Sequence, residues 1–415
     1  MVRVQYAELV TYILRACSPT VPGFGCRKRD GCVFCVAGLA PRGRSPFVKS
    51  YIYDMCGHAD AAVQRYLELA TPIFKDQLKA LRPVATPCMD DSQFTGEQLT
   101  NGGKLGPVAA RIVLKALYLA TNGRPDIYFA VNTLARKVHK WSEADDIKLH
   151  RLICYLQFSK DWVGTSFVGD APQDLYLALF CDAGFAGDLI DSKSTSGAYI
   201  ALVGPNTFAP ITWMCKKQQA VSHSTTEAEI IAMDAALRLE GLALLMLLDV
   251  IKHVFSSGRV AGLAPRGHHD DVHPLDYVPP NFALGIPHVS KLLIFEDNEA
   301  VVHQTIKGRS PILMHCGRTH RVNLDWLFER IKKDPGVKVR CCPTKKMIAD
   351  IFTKGSFNKD AWVNLLDLAQ IGKSSEPLAT LEKGPELPKM ETKRPKRRKI
   401  ATPLQDAERL VCKGA

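Results

Sequence analysis

Four acidic residues lie at the ends of predicted strands and helices, where carboxylates can converge on one patch. They are Asp182, Glu229, Asp297 and Asp350. Hydrolysis of a phosphodiester with two Mg²⁺ ions about 4 Å apart needs several carboxylates at a single site. Mg²⁺ prefers such hard oxygen ligands and keeps some of its waters. Spacing alone leaves two interpretations open, a metal-dependent nuclease and ordinary turn or helix-capping residues.

Glu227 and Glu229 lie two residues apart but are predicted to have different roles. Residues two apart on a helix point to nearly opposite sides. The positions three, four and seven residues after Glu229 are small or apolar, so this side should pack against a sheet. Ser224 and Glu227 fit a capping box, which gives Glu227 a structural role. Glu229 is then a carboxylate on the packed side, which is costly unless it is paired or bound to metal.

The elements that must position these carboxylates begin with strands and continue with alternating helices and strands. Three short β-branched or aromatic runs predict consecutive strands that end near Asp182, Gly204 and Lys216. A long helix is expected from about Thr226 to Phe255. The remaining elements are a strand at 291–297, a helix at 324–331, a strand at 337–342 and a last helix at 346–370 with a break near Gly355. This order predicts an α/β fold with a mixed sheet flanked by helices.

The residues before this sheet predict helices, and both ends of the chain predict irregular structure. Helical spacing and caps indicate helices at Val108–Ala120, Ile127–Trp141 and Glu143–Phe158. Residues 1–59 are Arg-rich and interrupted by Gly and Pro, and the tail is rich in Pro, Lys and Glu. The predicted organisation is a basic irregular segment at 1–59, a helical region at 60–165, the sheet domain at 174–370 and a disordered basic tail at 371–415.

Composition and charge exclude several classes of protein. The chain has 415 residues, 46% hydrophobic and 23% charged, which is typical of a globular protein. No apolar run reaches the roughly 18–20 residues that cross a bilayer. The net charge of +12 lies at the ends: Lys and Arg against Asp and Glu count 8 to 2 in residues 1–50, 11 to 6 in 371–415 and 35 to 34 between. Residues 51–370 are therefore nearly neutral and have no large excess of positive charge that would attract nucleic acid.

Six motifs occur in order along the chain: LYLATNGRPDI (117–127), CDAGFAGD (181–188), DSKSTSGAYIALVG (191–204), ITWMCKKQQAVSHSTTEAEIIAM (211–233), EDNEA (296–300) and IADIFTK (348–354). Through these motifs, the sequence from about residue 60 to 370 resembles the C-terminal part of copia-type LTR retrotransposon Pol polyproteins. In that family, the first motif lies at the C-terminal end of the reverse transcriptase, and the stretch from about 174 is a ribonuclease H domain. The resemblance implies a ribonuclease H-like five-stranded mixed sheet flanked by helices, preceded by a small helical remnant of the reverse-transcriptase connection region.

The same resemblance implies that the four carboxylates bind two Mg²⁺ ions, with Mn²⁺ as a substitute. The implied reaction is endonucleolytic hydrolysis of the RNA strand of RNA–DNA hybrids. Lys217 and Gln218 leave the third predicted strand near the metal-binding helix and are predicted to contact the hybrid. His320, in a stretch similar to a family motif, is a further candidate for substrate contact, and a structural role stays open for it. The chain departs from the family at Gly184, commonly acidic, and at residues 256–289, which look like an insertion.

Polymerase chemistry is not expected, because it would need a paired-Asp hairpin between apolar strands. Asp90 and Asp91 follow Pro87 in loop-like sequence. The pair at 145–146 opens a predicted helix, and the pair at 270–271 lies in the probable insertion. The sequence therefore predicts ribonuclease H activity alone. Two alternatives stay open, a catalytically inactive remnant that at most binds nucleic acid and a decayed fragment of an element.

The expected partners are an RNA–DNA hybrid and the remainder of a Pol polyprotein, with no membrane. The basic run at 393–399 fits a nuclear-import signal that an import receptor would bind. The odd count of 13 Cys and the absence of a recognisable secretory signal predict reduced thiols in the cytoplasm, the nucleus or both. Cys26, Cys32 and Cys35 lack a second pair at zinc spacing, so plain thiols are favoured over a metal site there.

Overall fold

The computed structural model describes residues 49–187, 191–256, 290–308 and 313–373, all of which belong to one compact unit. The predictions for residues 1–48, for the insertion beyond residue 256 and for the tail beyond residue 373 fall outside these ranges. Residues 371–373 were predicted to belong to the disordered tail, but they form a short strand that pairs with Trp162–Gly164. No helix in the described ranges is long and apolar enough to cross a membrane.

Eight strands form one mixed sheet, with helices on its flanks. The strands are β1 Lys49–Tyr53, β2 Trp162–Val168, β3 Tyr176–Gly184, β4 Thr195–Gly204, β5 Thr207–Lys217, β6 Leu292–Glu296, β7 Val337–Cys341 and β8 Ile371–Lys373. Their order is β1-β2-β5-β4-β3-β6-β7, and β8 pairs with β2. β3, β4 and β5 form an antiparallel meander, whereas β6 runs parallel to β3 and β7 runs parallel to β6. The predicted α/β class and mixed sheet are confirmed, and three further strands lie at the β5 edge.

Eleven α-helices occur in the described residues. They are α1 Cys56–Phe74, α2 Gly96–Thr100, α3 Gly106–Asn122, α4 Tyr128–Ala135, α5 Glu143–Phe158, α6 Thr225–Ala236, α7 Leu242–Ser256, α8 Glu299–Lys307, α9 Cys316–Thr319, α10 Leu324–Lys333 and α11 Lys359–Leu368. The predicted long helix is interrupted by a π-helical turn at Leu237–Gly241. The predicted last helix is a 3₁₀ helix at Ile348–Phe352 followed by α11, because Asn358 caps a new helix by accepting from the Ala361 amide at 2.8 Å.

The sheet extends into both upstream segments of the predicted organisation. β1 pairs antiparallel with β2 over five residue pairs and α1 begins at Cys56, so the last part of the segment predicted to be irregular is ordered. β2 begins within the region predicted to be helical and pairs with β5 at Phe167 and Phe208. The helical region and the sheet domain therefore share one sheet. The local sequence pattern did not predict β1, because this strand depends on pairing with β2, which lies far along the chain.

The core of the sheet lies beneath α6, α7 and α10. Buried leucines of β3 pack against apolar side chains of α6 and α7. Against the same cluster lie buried residues of α10, including Leu327 and Phe328. Burial of this apolar surface stabilises the packing of the helices on the sheet by roughly 25 cal/mol for each Å² removed from water. The rigid unit that results holds the start of α6 close to the C-terminal end of β3.

A buried polar network connects the C-terminal end of α5 to the segment between α3 and α4. The Arg124 guanidinium donates two hydrogen bonds to the Asp126 carboxylate, at 2.9 and 2.7 Å, and a third to the Ser159 carbonyl oxygen at 2.7 Å. The Tyr155 hydroxyl donates to Asp126 at 2.9 Å. Arg124 and Asp126 are almost fully buried. We call these four residues the Arg124 network. Because Arg124 and Asp126 belong to the 117–127 motif, their ion pair gives this motif a structural role.

Candidate metal centre

Two parallel strands deliver acidic residues to one edge of the sheet. β3 and β6 pair in a register that sets Phe180 opposite Phe295, so the chain places Asp182 opposite Asp297 two residues later. Asp182 is buried, and Asp297, directly after β6, is half-buried. Glu296 ends β6 and is fully buried. The C-terminal ends of adjacent parallel strands therefore carry three carboxylates within a short stretch of the sheet.

Helix α6 supplies the carboxylate of Glu229. Ser224 caps this helix by accepting from the Glu227 amide at 3.1 Å, as predicted. The predicted capping box is not completed, because the Glu227 carboxylate accepts from the His223 amide at 2.9 Å instead of from the Ser224 amide. The small side chains of Ala183, Ala228 and Ala232 pack together and allow α6 to approach β3 closely. Glu229 is thereby held on the packed side of the helix, where it is buried.

Asp350 reaches the same patch because two glycines let its segment approach the sheet. A Cβ atom at Gly197 on β4 would lie 2.6 Å from the Thr353 methyl group and 3.0 Å from the Ala349 carbonyl oxygen. A Cβ atom at Gly184 on β3 would overlap the Thr353 carbonyl oxygen. The 3₁₀ helix that carries Asp350 is packed directly on both strands. The departure from the family at Gly184 therefore has a steric reason in this chain.

The carboxylates form a tight cluster with unsatisfied oxygens. Ligand atoms of Asp182, Glu229 and Asp297 all lie within 4.8 Å of one another. Asp350 is close enough for the charges of Asp182 and Asp297 to raise its pKa. Two buried oxygens, Glu229 Oε2 and Asp350 Oδ1, have no hydrogen-bond partner among the described residues. Buried polar atoms normally are paired, so these two oxygens need another ligand. We call Asp182, Glu229, Glu296, Asp297 and Asp350 the carboxylate cluster.

Burial and mutual repulsion hold protons on this cluster. Burial, reinforced by the charge of Asp182, raises the pKa of the Glu229 carboxyl well above its ordinary value. Burial also raises the pKa of Asp182, against the opposing charge of Lys354. The same cause raises the pKa of Asp350 to about 7 and that of Glu296 to about 8. A divalent cation would favour the ionised forms, and the oxygen donor set fits Mg²⁺ or Mn²⁺.

Sequence reasoning missed three residues of this site. Glu296 adds a fifth carboxylate. Its position directly before Asp297 in the 296–300 motif is the sequence feature that could have identified it. The Lys354 ammonium lies 2.7 Å from Asp350 Oδ2. The Thr353 hydroxyl donates a hydrogen bond to Asp182. Both residues belong to the 348–354 motif, so the motif itself contained the signal. They orient two of the carboxylates from the side opposite β6.

The three predicted substrate contacts lie near α6 but have partners within the protein. Gln218 is buried, and its amide donates to Ser196 Oγ at 3.0 Å and to the Ala228 carbonyl oxygen at 2.9 Å. Lys217 lies 2.7 Å from the Asp191 carboxylate. The imidazole of His320 is buried, with its Nε2 atom 3.0 Å from Glu227 Oε1. Their contact with a hybrid stays a prediction.

The Asp-Asp pairs considered for polymerase chemistry have structural partners. Asp90 accepts from the Ser92 amide at 3.0 Å, and Asp91 pairs with Lys148. The pair at 145–146 opens α5, as predicted. Asp145 completes a capping box with Ser142, and Asp146 accepts from the Lys104 amide at 2.7 Å. The third pair, at 270–271, lies outside the described residues.

Several retrotransposon proteins are similar to this chain. The retrovirus-related Pol polyproteins from transposons RE2 and RE1 of Arabidopsis thaliana are 36% and 35% identical over 149 and 154 residues, each match covering 36% of this chain. An uncharacterized mitochondrial protein of the same plant, AtMg00810, is 34% identical over 130 residues, covering 31% of this chain and 50% of that protein. The matches span about a tenth of the length of the two Pol polyproteins. No family model and no solved structure matches. These matches confirm the resemblance of the chain to copia-type retrotransposon Pol polyproteins.

Proposed function

We propose that this chain is a ribonuclease H that cuts the RNA strand of RNA–DNA hybrids with the help of Mg²⁺. The observation that carries the proposal is the convergence of four predicted carboxylates from separate segments: β3, α6, the end of β6 and the 3₁₀ helix before α11. The strand order β5-β4-β3-β6-β7 supports it, because three antiparallel strands followed by two parallel ones form the five-stranded mixed sheet implied by the resemblance.

The residues of the cluster would hold the cations and keep their own geometry rigid. Asp182, Glu229, Asp297 and Asp350 would be the ligands. Two bound Mg²⁺ ions supply Lewis-acid stabilisation and activate water for in-line attack at phosphorus. Thr353 and Lys354 fix the orientation of Asp182 and Asp350 through the contacts described above. The sheet and the capped start of α6 restrict the remaining carboxylates, so little reorganisation is needed when substrate arrives.

The position of the β5 end favours a phosphate contact beside the cluster. Ala183 pairs with Ser196, which pairs with Lys216, so Lys216 lies in the same row of the sheet two strands from the Asp182 segment. Two strand spacings correspond to about 10 Å. Lys216 is exposed, and Lys217 is half-buried beside it. Contacts to phosphates position a duplex without reading its sequence, whereas the 2′-hydroxyls identify the RNA strand.

A cleavage assay on a hybrid with a labelled RNA strand tests this function. We expect Mg²⁺-dependent internal cuts by the wild-type chain and by Asp161→Asn, a control that alters an exposed Asp outside the cluster. Asp182→Asn and Asp297→Asn each remove one ligand charge at constant volume, so each should reduce the rate at least about a hundredfold. A folded wild-type chain that leaves the hybrid intact would contradict the enzyme and favour the inactive remnant. Undiminished cleavage by either cluster variant would contradict the assigned ligands.

A further inference from the structure

A second group of metal-binding side chains surrounds Glu227, on the side of α6 away from Glu229. The Nε2 atoms of His315 and His320 lie 3.1 and 3.0 Å from the same oxygen, Glu227 Oε1. The Cys316 sulfur lies 3.7 Å from that oxygen and 4.0 Å from His315 Nε2. Ligand atoms of Glu227, His315 and Cys316 all lie within 4.8 Å of one another, and His320 Nε2 contacts the same Glu227 oxygen.

This group is enclosed by the protein on most sides. Cys316, His320 and Glu227 are buried, and only the His315 side chain is about one-third exposed. Glu227 Oε2 is already satisfied, because it accepts from the His223 backbone amide at 2.9 Å. Oε1 therefore remains the oxygen that faces the other three donors. A path for a small ion exists past His315, while the remaining ligands would be shielded from water.

The donor types and their separations match a tetrahedral zinc site. Zn²⁺ binds imidazole nitrogen and carboxylate oxygen at about 2.0–2.1 Å and thiolate sulfur at about 2.3 Å. Ligand atoms around such an ion are separated by roughly 3.3 Å for nitrogen and oxygen and about 3.5 Å for pairs that include sulfur. Glu227 Oε1 lies 3.1, 3.0 and 3.7 Å from the ligand atoms of His315, His320 and Cys316, within a few tenths of an ångström of those values. The separation of Cys316 Sγ and His315 Nε2, 4.0 Å, is about half an ångström longer than in a zinc site.

We propose that Glu227, His315, Cys316 and His320 form a structural site for a tetrahedral transition-metal ion of the Zn²⁺ class. With four protein ligands the site is closed, so it has no open position for catalysis. This site is separate from the carboxylate cluster, whose hard oxygen donors favour Mg²⁺, and it does not depend on the proposed ribonuclease activity. Binding transfers the Cys316 thiol proton to solvent, because the thiolate is the ligand form.

The location gives the ion a mechanical role. Glu227 lies in the first turn of α6, two residues before Glu229, whereas the other three ligands lie in and beside α9. A bound ion would connect α9 to the start of α6 by four bonds. It would also stabilise the fold by an amount that depends on its free concentration and affinity.

Cobalt substitution tests the proposal on the full chain, after metal removal and in excess Mg²⁺. We expect one Co²⁺ per chain at this site, with the visible bands of tetrahedral cobalt and a thiolate-to-cobalt charge-transfer band that Zn²⁺ abolishes. Cys316→Ser should remove the charge-transfer band and weaken Zn²⁺ binding at least about tenfold. His315→Gln, at the most exposed ligand, should weaken binding similarly with the fold retained, as far-ultraviolet circular dichroism would check.

Matched controls locate the ion. Cys341→Ser and His303→Gln alter exposed residues outside the group and should leave the spectrum and affinity unchanged. Asp182→Asn should also leave them unchanged, which separates this site from the carboxylate cluster. The proposal is overturned if the wild-type chain lacks the charge-transfer band, or if the band persists at full strength in Cys316→Ser, because a thiol elsewhere would then hold the ion.

Discussion

The Arg124 network and the carboxylate cluster are both buried and charged, but only in the Arg124 network do positive and negative charges balance. Arg124 and Asp126 carry opposite charges and pair with each other, and Arg124 also donates to Ser159 while Asp126 also accepts from Tyr155. The carboxylate cluster holds five acidic groups, and Lys354, the cation that contacts it, is partly exposed. Two of its buried oxygens have no hydrogen-bond partner in the part of the chain that the structure describes.

This difference indicates that the Arg124 network stabilises the fold, whereas the carboxylate cluster serves function at a cost in stability. A buried ion pair with every hydrogen bond made is strongly destabilised when one partner is removed. A cluster of like charges instead costs folding free energy, and such a cost persists where it prepares a site for a cation or a reaction. The two regions should therefore respond with opposite signs when one charge is neutralised.

The largest effect on stability is expected at the Arg124 network. Arg124→Met leaves Asp126 buried without its charged partner, so the free energy of unfolding should fall by about 3–5 kcal/mol. Urea denaturation of the full chain measures this change. Arg111→Met on the exposed side of α3 is the matched control and should change stability by less than about 0.5 kcal/mol. A loss below about 1 kcal/mol for Arg124→Met would show that the network is not a stabilising element.

Neutralising one charge of the carboxylate cluster should have the opposite sign. Asp182→Asn removes repulsion against Glu229 and Asp350 and keeps an oxygen that can accept from Thr353. The metal-free variant should be more stable than the wild-type chain by about 1–2 kcal/mol, one pKa unit being about 1.4 kcal/mol. Denaturation in the presence of a chelator measures the difference. Destabilisation by a similar amount would mean that the cluster is not strained by like charge.

The pH dependence of stability sharpens the same comparison. Asp350 and Glu296 have raised pKa values of about 7 and about 8, against about 3.9 and 4.3 in an unfolded chain. Folding therefore takes up protons at both groups, and their contribution is complete below about pH 4 and is lost as the pH rises through 7 and 8.

Metal-free wild-type protein should accordingly lose stability relative to Asp182→Asn between pH 5 and pH 8, so the difference in favour of the variant should widen by about 1 kcal/mol. Denaturation curves for both proteins at several pH values give this difference and cancel groups common to both. A stability gap that stays constant across the range would contradict the assigned coupling between Asp182 and its neighbours.

Sequence reasoning identified the parts of the site that depend on chain position and missed those that depend on packing. Asp182 and Asp297 end predicted strands, so the convergence of carboxylates at strand ends could be predicted, whereas the parallel pairing of those two strands is seen only in the structure. The role of Gly197 was not, because it comes from the approach of a segment far along the chain. Glu227 was correctly separated from Glu229, but its contacts with His315 and His320 depend on the placement of α9. Non-local contacts of this kind leave no periodic signal.

Calorimetric titration of the full chain with Mg²⁺ tests the central claim, that the unbalanced carboxylate cluster is a cation site. We expect saturable binding by the wild-type chain and by Asp161→Asn, and affinity at least about tenfold weaker for Asp182→Asn. Binding should also raise the free energy of unfolding of the wild-type chain, because the ion binds only the folded cluster. Equal affinity in Asp182→Asn, or no binding by folded wild-type protein at millimolar Mg²⁺, would contradict the claim.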